Sequence, residues 1–388
     1  MRDTESRARY SVDGIVPDAV ALPVNEAEVA ALLKDAAASG EVVVPWGAGT
    51  KQDLGHPLDR AGLVLSLERL NRVVDYVPAD MTITVEAGMV LACLQALTAP
   101  NGQCVGLDPP RADRATMGGI VAAASHGPRR AAYGGVRDLL LGVRVALADG
   151  RVIKCGGKVV KNVAGYDMTR LVAGSLGTLG VITEVSLRLR PLPADRRTLL
   201  FAFPDMEGAL AAAERTLRSE LLPAAVTLLS PPAARRLEVP GEWPLAVALE
   251  ESAENNRYQV ERLTAMFGGA AEAGASFWDR VTNYMDCFAA RCRYRVSTVI
   301  GDLGNPLRAA GSLESVVHVA AGTVMLYGYD DDGPPAGVNA VLESGPPALR
   351  KRVDVWGPPR PEWELSRRIK QALDPGRVLN RGRFVGGI

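Results

Sequence analysis

Histidine is scarce in this chain, with three in 388 residues, and cysteine is little commoner. The five cysteines, Cys93, Cys104, Cys155, Cys287 and Cys292, are odd in number, scattered and never arranged as C-x-x-C. That spacing argues against a disulfide framework, a zinc site and a protein-held iron–sulfur cluster, and it favours a reducing cytoplasm. Net charge is also missing. The 44 Lys plus Arg balance the 44 Asp plus Glu, so no overall field draws the chain to nucleic acid or to an anionic membrane. No apolar run is long enough to span a bilayer, and the N-terminal MRDTESRARYSVDG has no apolar core after its charges, so neither a transmembrane segment nor export is expected.

What is present is the material of two or three soluble domains. From Pro23 the pattern predicts a helix, with Asn25 as N-cap, Glu28 at the capping-box position and Gly40 as its stop. Strands follow at Glu41–Val44, Leu63–Leu67, Val73–Val77 and Thr82–Glu86, the last two joined by Pro78–Asp80. A hairpin is predicted over Gly142–Cys155 around Ala148-Asp149-Gly150, and Val181–Leu189 alternates as a half-buried strand. Pro191 and Pro193 end that strand and set the first boundary. The middle third reads as an antiparallel sheet backed by helices, with strands at Leu199–Phe203, Ala225–Leu229, Leu245–Leu249, Tyr294–Ile300, Val316–Ala320 and Thr323–Tyr329.

Three glycine-rich loops, each attached to a strand, carry the chemistry. Trp46-Gly47-Ala48-Gly49-Thr50 could bring several N–H groups onto an oxyanion. It is not a Rossmann fingerprint, because the third glycine would fall at Gln52, nor is there a Walker loop, because Gly157-Lys158 is followed by Val159. A second site, RADRATMGGIVAAASHG, sets Gly118-Gly119 before a run of small residues against which a flat ligand could lie. In the third, Gly174, Gly177 and Gly180 recur before the strand at Val181. Together they imply an extended ligand with a diphosphate, and a side chain at Gly118 is expected to intrude on its space. Tyr166 and Asp167, between these sites, are expected to form a buried hydrogen-bonded pair. Lys158 and Lys161 read as framework or interface charges.

The segments PWGAGT, TMGGIVAAASHGPRRAAYGGVRDLLLGVRVALADGRVIKCGGKVVKNVAGYD and LVAGSLGTLGVITEVSLRL resemble the FAD-binding domain of the vanillyl-alcohol oxidase and para-cresol methylhydroxylase superfamily. Within it they are most similar to the FAD-binding subunit of bacterial glycolate oxidase that lacks the metal motif of its catalytic partner. The resemblance implies an α+β fold, with a two-part FAD-binding domain of the vanillyl-alcohol oxidase type and an antiparallel α+β cap. The expected division is 1–193 for the FAD-binding domain, 194–350 for the cap, and 351–388 for a segment that returns to the FAD domain through DPGRVLNRGR. It further implies non-covalent FAD, with Gly47, Ala48, Gly49 and Thr50 around the diphosphate and Asp108, Pro109, Thr116, Gly118 and Gly119 running past diphosphate and flavin. Ser125, Tyr133 and Gly134 would continue that wall. Gly180, Val181 and Ile182 would cover the adenine end, and Asn380 would stand near the isoalloxazine, although Arg381 replaces the family's usual proline.

Relatives that oxidise 2-hydroxy acids unaided carry a metal motif of the kind GHxGDGNxH in the cap. Here His56, His126 and His318 stand apart, with no second histidine or carboxylate at ligand spacing, so no metal site of that type is expected. His318 reads as a strand histidine with a backbone partner. His126 beside the flavin wall is a minority candidate for covalent attachment. In AARCRYRVST, Arg291, Arg293 and Arg295 share one strand face, either as an anion site, with Arg295 the candidate catalytic residue, or as a charged, solvated edge strand. Two readings follow. One is an accessory or electron-relaying FAD subunit of a glycolate (2-hydroxy acid) oxidase complex, inactive alone, cytoplasmic or peripheral at the inner membrane through a catalytic FAD subunit and an iron–sulfur subunit. The other is a self-sufficient FAD-dependent dehydrogenase of a small 2-hydroxy acid. An apo scaffold is the least favoured, since the glycine sites look intact.

Overall fold

Asn25 starts the first long helix, Glu26–Ser39, by accepting the Glu28 N–H at 2.9 Å, and Glu28 reaches back to the Val24 N–H at 2.9 Å. Gly40, with φ of 70°, ends it, a conformation that costs glycine little. The helix buries Val29, Leu33 and Ala36. The computed structural model describes residues 4–157, 167–311, 313–329 and 333–388. Val159, Lys158, Lys161 and Tyr166 lie outside the described residues.

The chain divides into two compact units. The first comprises Met1–His126, Gly135–Pro191 and Pro358–Ile388, and the second comprises Gly127–Gly134 and Leu192–Gly357. In the first unit, β1 (Ala19–Ala21), β2 (Val43–Trp46) and β3 (Leu63–Ser66) form a parallel sheet in the order β1-β3-β2. Five further strands, β4 (Val73–Val77), β5 (Thr82–Glu86), β6 (Leu140–Ala146), β7 (Val152–Gly156) and β8 (Val181–Arg188), form an antiparallel sheet in the order β4-β5-β8-β6-β7. The β6–β7 hairpin turns at Gly150, whose φ is +84°. One core joins the two sheets, from Val29 and Leu33 through Ile83, Val85, Val143 and Val185 to Val378 and Leu379 near the C-terminus.

The second unit is built on an eight-stranded antiparallel sheet: β9 (Arg197–Phe203), β10 (Ala225–Leu229), β11 (Trp243–Leu249), β12 (Ala271–Glu272), β13 (Cys292–Ser297), β14 (Glu314–His318), β15 (Thr323–Gly328) and β16 (Ala340–Ser344). Their order is β12-β9-β11-β10-β14-β15-β13-β16. Strand alternation feeds two cores. Leu199, Phe201, Val226, Leu228 and Val247 face the helices Met206–Leu217 and Ala253–Phe267, while Leu200, Ala225, Leu229 and Ala246 face Pro231–Leu237 and Phe277–Thr282.

The edge-strand expectation for Arg291, Arg293 and Arg295 is corrected here. β13 pairs with β15 on one side and β16 on the other, so it is an interior strand. Cys292, Tyr294 and Val296 are buried on one face, as alternation requires, but Arg293 is buried too.

Candidate functional site

The loop after β2 is held open by its own packing. Thr50 accepts a hydrogen bond from Arg111 Nη1 at 2.7 Å, and Gln52 Nε2 donates to the Pro45 carbonyl at 3.1 Å. Arg383, almost wholly buried, donates to the carbonyls of Gln52 and of Leu54, the latter at 2.8 Å. Burial pushes its guanidinium down to about 10, so it remains a cation at neutral pH. Among the described residues, the backbone N–H groups of Gly47, Ala48, Gly49 and Thr50 donate to no protein acceptor. Four unspent donors on one turn, with Lys51 and Arg383 beside them, suit an oxyanion.

These residues line a groove of about 740 Å³ that lies entirely within the first unit. The structure brings Gly47, Ala48, Gly49, Thr50, Thr116, Gly118, Gly119, Gly180, Val181, Ile182 and Asn380 together on its walls, although they come from four separate stretches of sequence. A neighbouring cavity of about 1150 Å³ shares Trp46, Gly47, Ala48 and Thr116 with it, which extends the space along the loop as an elongated ligand needs. Asp108, Pro109 and Ser125 do not line the groove: Pro109 and Ser125 are buried and Asp108 is half-buried. Tyr133 and Gly134 fall in the second unit, where the Tyr133 hydroxyl donates to Glu250. Lys51, Gln52, Leu176, Gly177 and Arg383, which motif reading passed over, also line it.

The reason for the glycines differs from the sequence expectation. A Cβ on Gly118 would lie 2.7 Å from the Ala87 Cβ and 3.0 Å from its carbonyl oxygen, so this glycine lets a helix turn sit on neighbouring backbone. Gly118 donates its N–H to that same Ala87 carbonyl at 2.7 Å. Gly180 likewise faces Val145 at 2.4 Å. The missing side chains make room for protein, and the groove is what those close contacts leave between the loops.

Asn380 closes one wall. Its backbone has φ of 43°, its N–H donates to Val43 at 2.9 Å and its Nδ2 donates to the Leu176 carbonyl at 2.5 Å. Its Oδ1 is buried and has no hydrogen-bond partner in the protein. An orphaned acceptor in a ligand groove is a direct sign of a donor on the ligand. Arg381, where the family has proline, is exposed and leaves the Asn380 contacts in place.

Asp167 corrects the expected buried pair. It is exposed, caps the helix Met168–Val172 by accepting the Arg170 N–H at 3.2 Å, and pairs with the Arg170 side chain at 3.0 Å. His318 is buried with Nδ1 3.1 Å from the Thr227 hydroxyl, so it has a side-chain partner in addition to any backbone one. His126 is half-buried. Arg295 donates to Glu343 at 2.7 Å and to Ser297 at 2.8 Å, and Arg293 lies 3.3 Å from the same carboxylate. Among the described residues no group of three His, Cys, Asp or Glu side chains is placed to share a metal ion, and no helix is long and apolar enough to cross a membrane.

Unspent amides, a cationic rim and small-residue walls define a diphosphate-containing nucleotide cofactor site in a two-unit α+β protein. Comparison with known proteins says which. Residues 17–156 match the FAD binding domain family, and residues 192–296 match the C-terminal domain of FAD linked oxidases. The chain therefore carries a PCMH-type FAD-binding domain followed by an FAD-linked oxidase C-terminal domain, and its cofactor is FAD. It is 33% identical over 231 residues to glycolate oxidase subunit GlcD of Bacillus subtilis, covering 58% of this chain and 49% of that one. It is 40% identical over 152 residues to glycolate oxidase subunit GlcE of Escherichia coli, covering 39% and 43%. The matches thus span about half the length of these relatives. In fold it is similar to p-cresol methylhydroxylase with substrate bound, with a TM-score of 0.72, 16% identity and coverage of 99% of this chain and 93% of that one. Two-domain α+β architecture of the vanillyl-alcohol oxidase and p-cresol methylhydroxylase type is the fold of this protein.

The groove fits FAD on the residues present. Gly47, Ala48, Gly49 and Thr50 would hold the diphosphate, and Asn380 Oδ1 would take a donor of the ring or the ribityl chain. When bound, FAD supplies a ring that accepts two electrons.

Proposed function

We propose that this chain is the non-covalent FAD-binding subunit of a complex that oxidises a small 2-hydroxy acid such as glycolate. In this reading it is accessory or electron-relaying, and works beside a catalytic flavoprotein and an iron–sulfur subunit that set any association with the inner membrane. Its similarity to two different glycolate oxidase subunits supports the substrate class.

The observation that carries the accessory role is how the second unit spends its polar interior. Oxidation at a CH–OH carbon needs a base for the hydroxyl proton and cations for the carboxylate. Glu314 accepts from Tyr284 at 2.7 Å, Tyr329 at 2.5 Å and Arg236 at 2.6 Å. Glu250 is held by Arg129 and Tyr133, Glu343 by Arg293 and Arg295, and His318 by Thr227. Arginine clamps carboxylates well but is effectively never deprotonated, so it cannot serve as base. A purification of the tagged chain from its own cells tests the assembly. The expected result is a second flavoprotein and an iron–sulfur protein in stoichiometric amounts, with glycolate-dependent dye reduction only in that assembly. A lone chain that turns over glycolate by itself contradicts it.

A further inference from the structure

Lys370 and Asp374 form an ion pair of 2.6 Å whose side chains are 3% and 0% exposed, at the end of the helix Trp363–Leu373. All of their bonding capacity is directed. The Lys370 ammonium donates to Asp374, to the Thr178 carbonyl at 2.7 Å and to the Leu379 carbonyl at 2.8 Å, which accounts for its three protons. The Asp374 carboxylate accepts the N–H groups of Val378 and Leu379, each at 2.9 Å. The pair therefore ties three pieces together: its own helix, the third glycine loop at Thr178, and the run that ends in Asn380.

Burial of a full ion pair is weak support for stability, because an apolar pair of similar volume often does as well or better. Its placement is more informative. Thr178 and Leu176, both on the third glycine loop, are gripped by Lys370 and by Asn380 Nδ2 respectively. With Nδ2 committed to Leu176, the orientation of the amide is set and Oδ1 is left as the orphaned acceptor at the groove.

We propose that Lys370 and Asp374 are a positioning pair for the cofactor: they set the register between the third glycine loop and the C-terminal run, and so hold the Asn380 carbonyl where it accepts a hydrogen bond from FAD. This rests on the assignment of the groove to FAD, and is independent of the substrate.

The test uses the full chain and three variants, Lys370→Met/Asp374→Asn, Asn380→Ala and the triple combination. FAD affinity is read from flavin fluorescence, and the visible spectrum and midpoint potential are read from the bound flavin. Apoprotein melting is followed alongside. The pair variant is expected to weaken FAD binding at least tenfold and to shift the spectrum or potential. Asn380→Ala is expected to do the same, and the triple variant no more than either. Additive losses in the triple variant overturn the proposal. So does a pair variant that melts earlier yet binds FAD with unaltered affinity, spectrum and potential, which is the behaviour of a purely structural pair. An Asn380→Ala protein that matches the parent in all three flavin readouts also overturns it, while leaving the oxidase reading, judged by turnover of the complex, untouched. Should the pair variant not fold, Lys370→Arg is read in the same way, since a guanidinium keeps the charge but cannot repeat the three contacts of the ammonium.

Discussion

The Asn380 amide donates to the Leu176 carbonyl across 204 residues of sequence, so the end of the described chain clasps the third glycine loop. Asn380→Ala leaves that carbonyl without its donor and places a Cβ residue with no local hydrogen-bonding side chain at φ of 43°. The loss expected for the apoprotein is about 1–3 kcal/mol. Asn380→Gly tolerates the backbone and should melt closer to the parent, yet lose FAD affinity as much as the alanine variant. Differential scanning of the apoproteins and a flavin titration separate the two effects.

Gly118→Ala should destabilise the protein before any cofactor is added, because the new Cβ meets Ala87. Overpacking of this kind costs about 1–3 kcal/mol. Adding Ala87→Gly removes the nearer contact and should recover part of the loss. Urea unfolding of the apoproteins checks it. Unchanged apoprotein stability with abolished FAD binding would return the space at Gly118 to the cofactor.

In the second unit, burial disfavours the Glu250 charge, but the hydrogen bond and charge of Arg129 outweigh it and hold the carboxyl below its usual range. A depressed value in the folded state gives stability that is present above the ordinary carboxylate range and is lost as pH falls through the folded value. Glu250→Gln should therefore cost about 2–3 kcal/mol at pH 7, at the lower edge for a broken buried pair because Arg129 keeps some solvent. The gap between variant and parent should narrow in urea titrations carried toward acid. A gap that is constant with pH would contradict the assignment.

Burial raises the phenols of Tyr10, Tyr284, Tyr327 and Tyr329, and Glu314 adds to the effect at Tyr284 and Tyr329. A raised folded value gives stability that is complete below the ordinary phenol range and is lost as pH climbs beyond it. Alkaline titration should show fewer than the nine tyrosines ionising while the circular dichroism stays native, with the rest appearing as the protein unfolds. Ionisation of all nine in the native protein at the ordinary value would be the contrary result.

Local chemistry was readable and distant partnership was not. The helix Glu26–Ser39 announced itself through Asn25, Glu28 and Gly40, and the β6–β7 hairpin through alternation about Gly150, because each signal lies within one element. The three glycine loops could be found one at a time, but which way a missing Cβ faces depends on contacts such as Gly118 with Ala87, which only tertiary packing creates. Lys370 and Asp374 carried a faint signal, an i,i+4 pair before proline at the end of a helix, and ordinary charged residues share it. Arg129 with Glu250, 121 residues apart, and the burial of Arg383 had none, since arginine is usually exposed. The interior position of β13 was hidden for the same reason: its neighbours β15 and β16 follow it in sequence, and pairing order is a property of the whole sheet.

The central claim is that this chain holds FAD in the groove of its first unit but needs partners to oxidise its substrate. Anaerobic mixing of the purified, FAD-loaded chain with excess glycolate, followed at the flavin absorbance maximum, tests it most directly. The isolated chain is expected to take up FAD and to keep its flavin oxidised, while the assembled complex under the same conditions is reduced. Rapid bleaching of the flavin in the isolated chain would contradict the claim and make the protein a self-sufficient 2-hydroxy acid dehydrogenase.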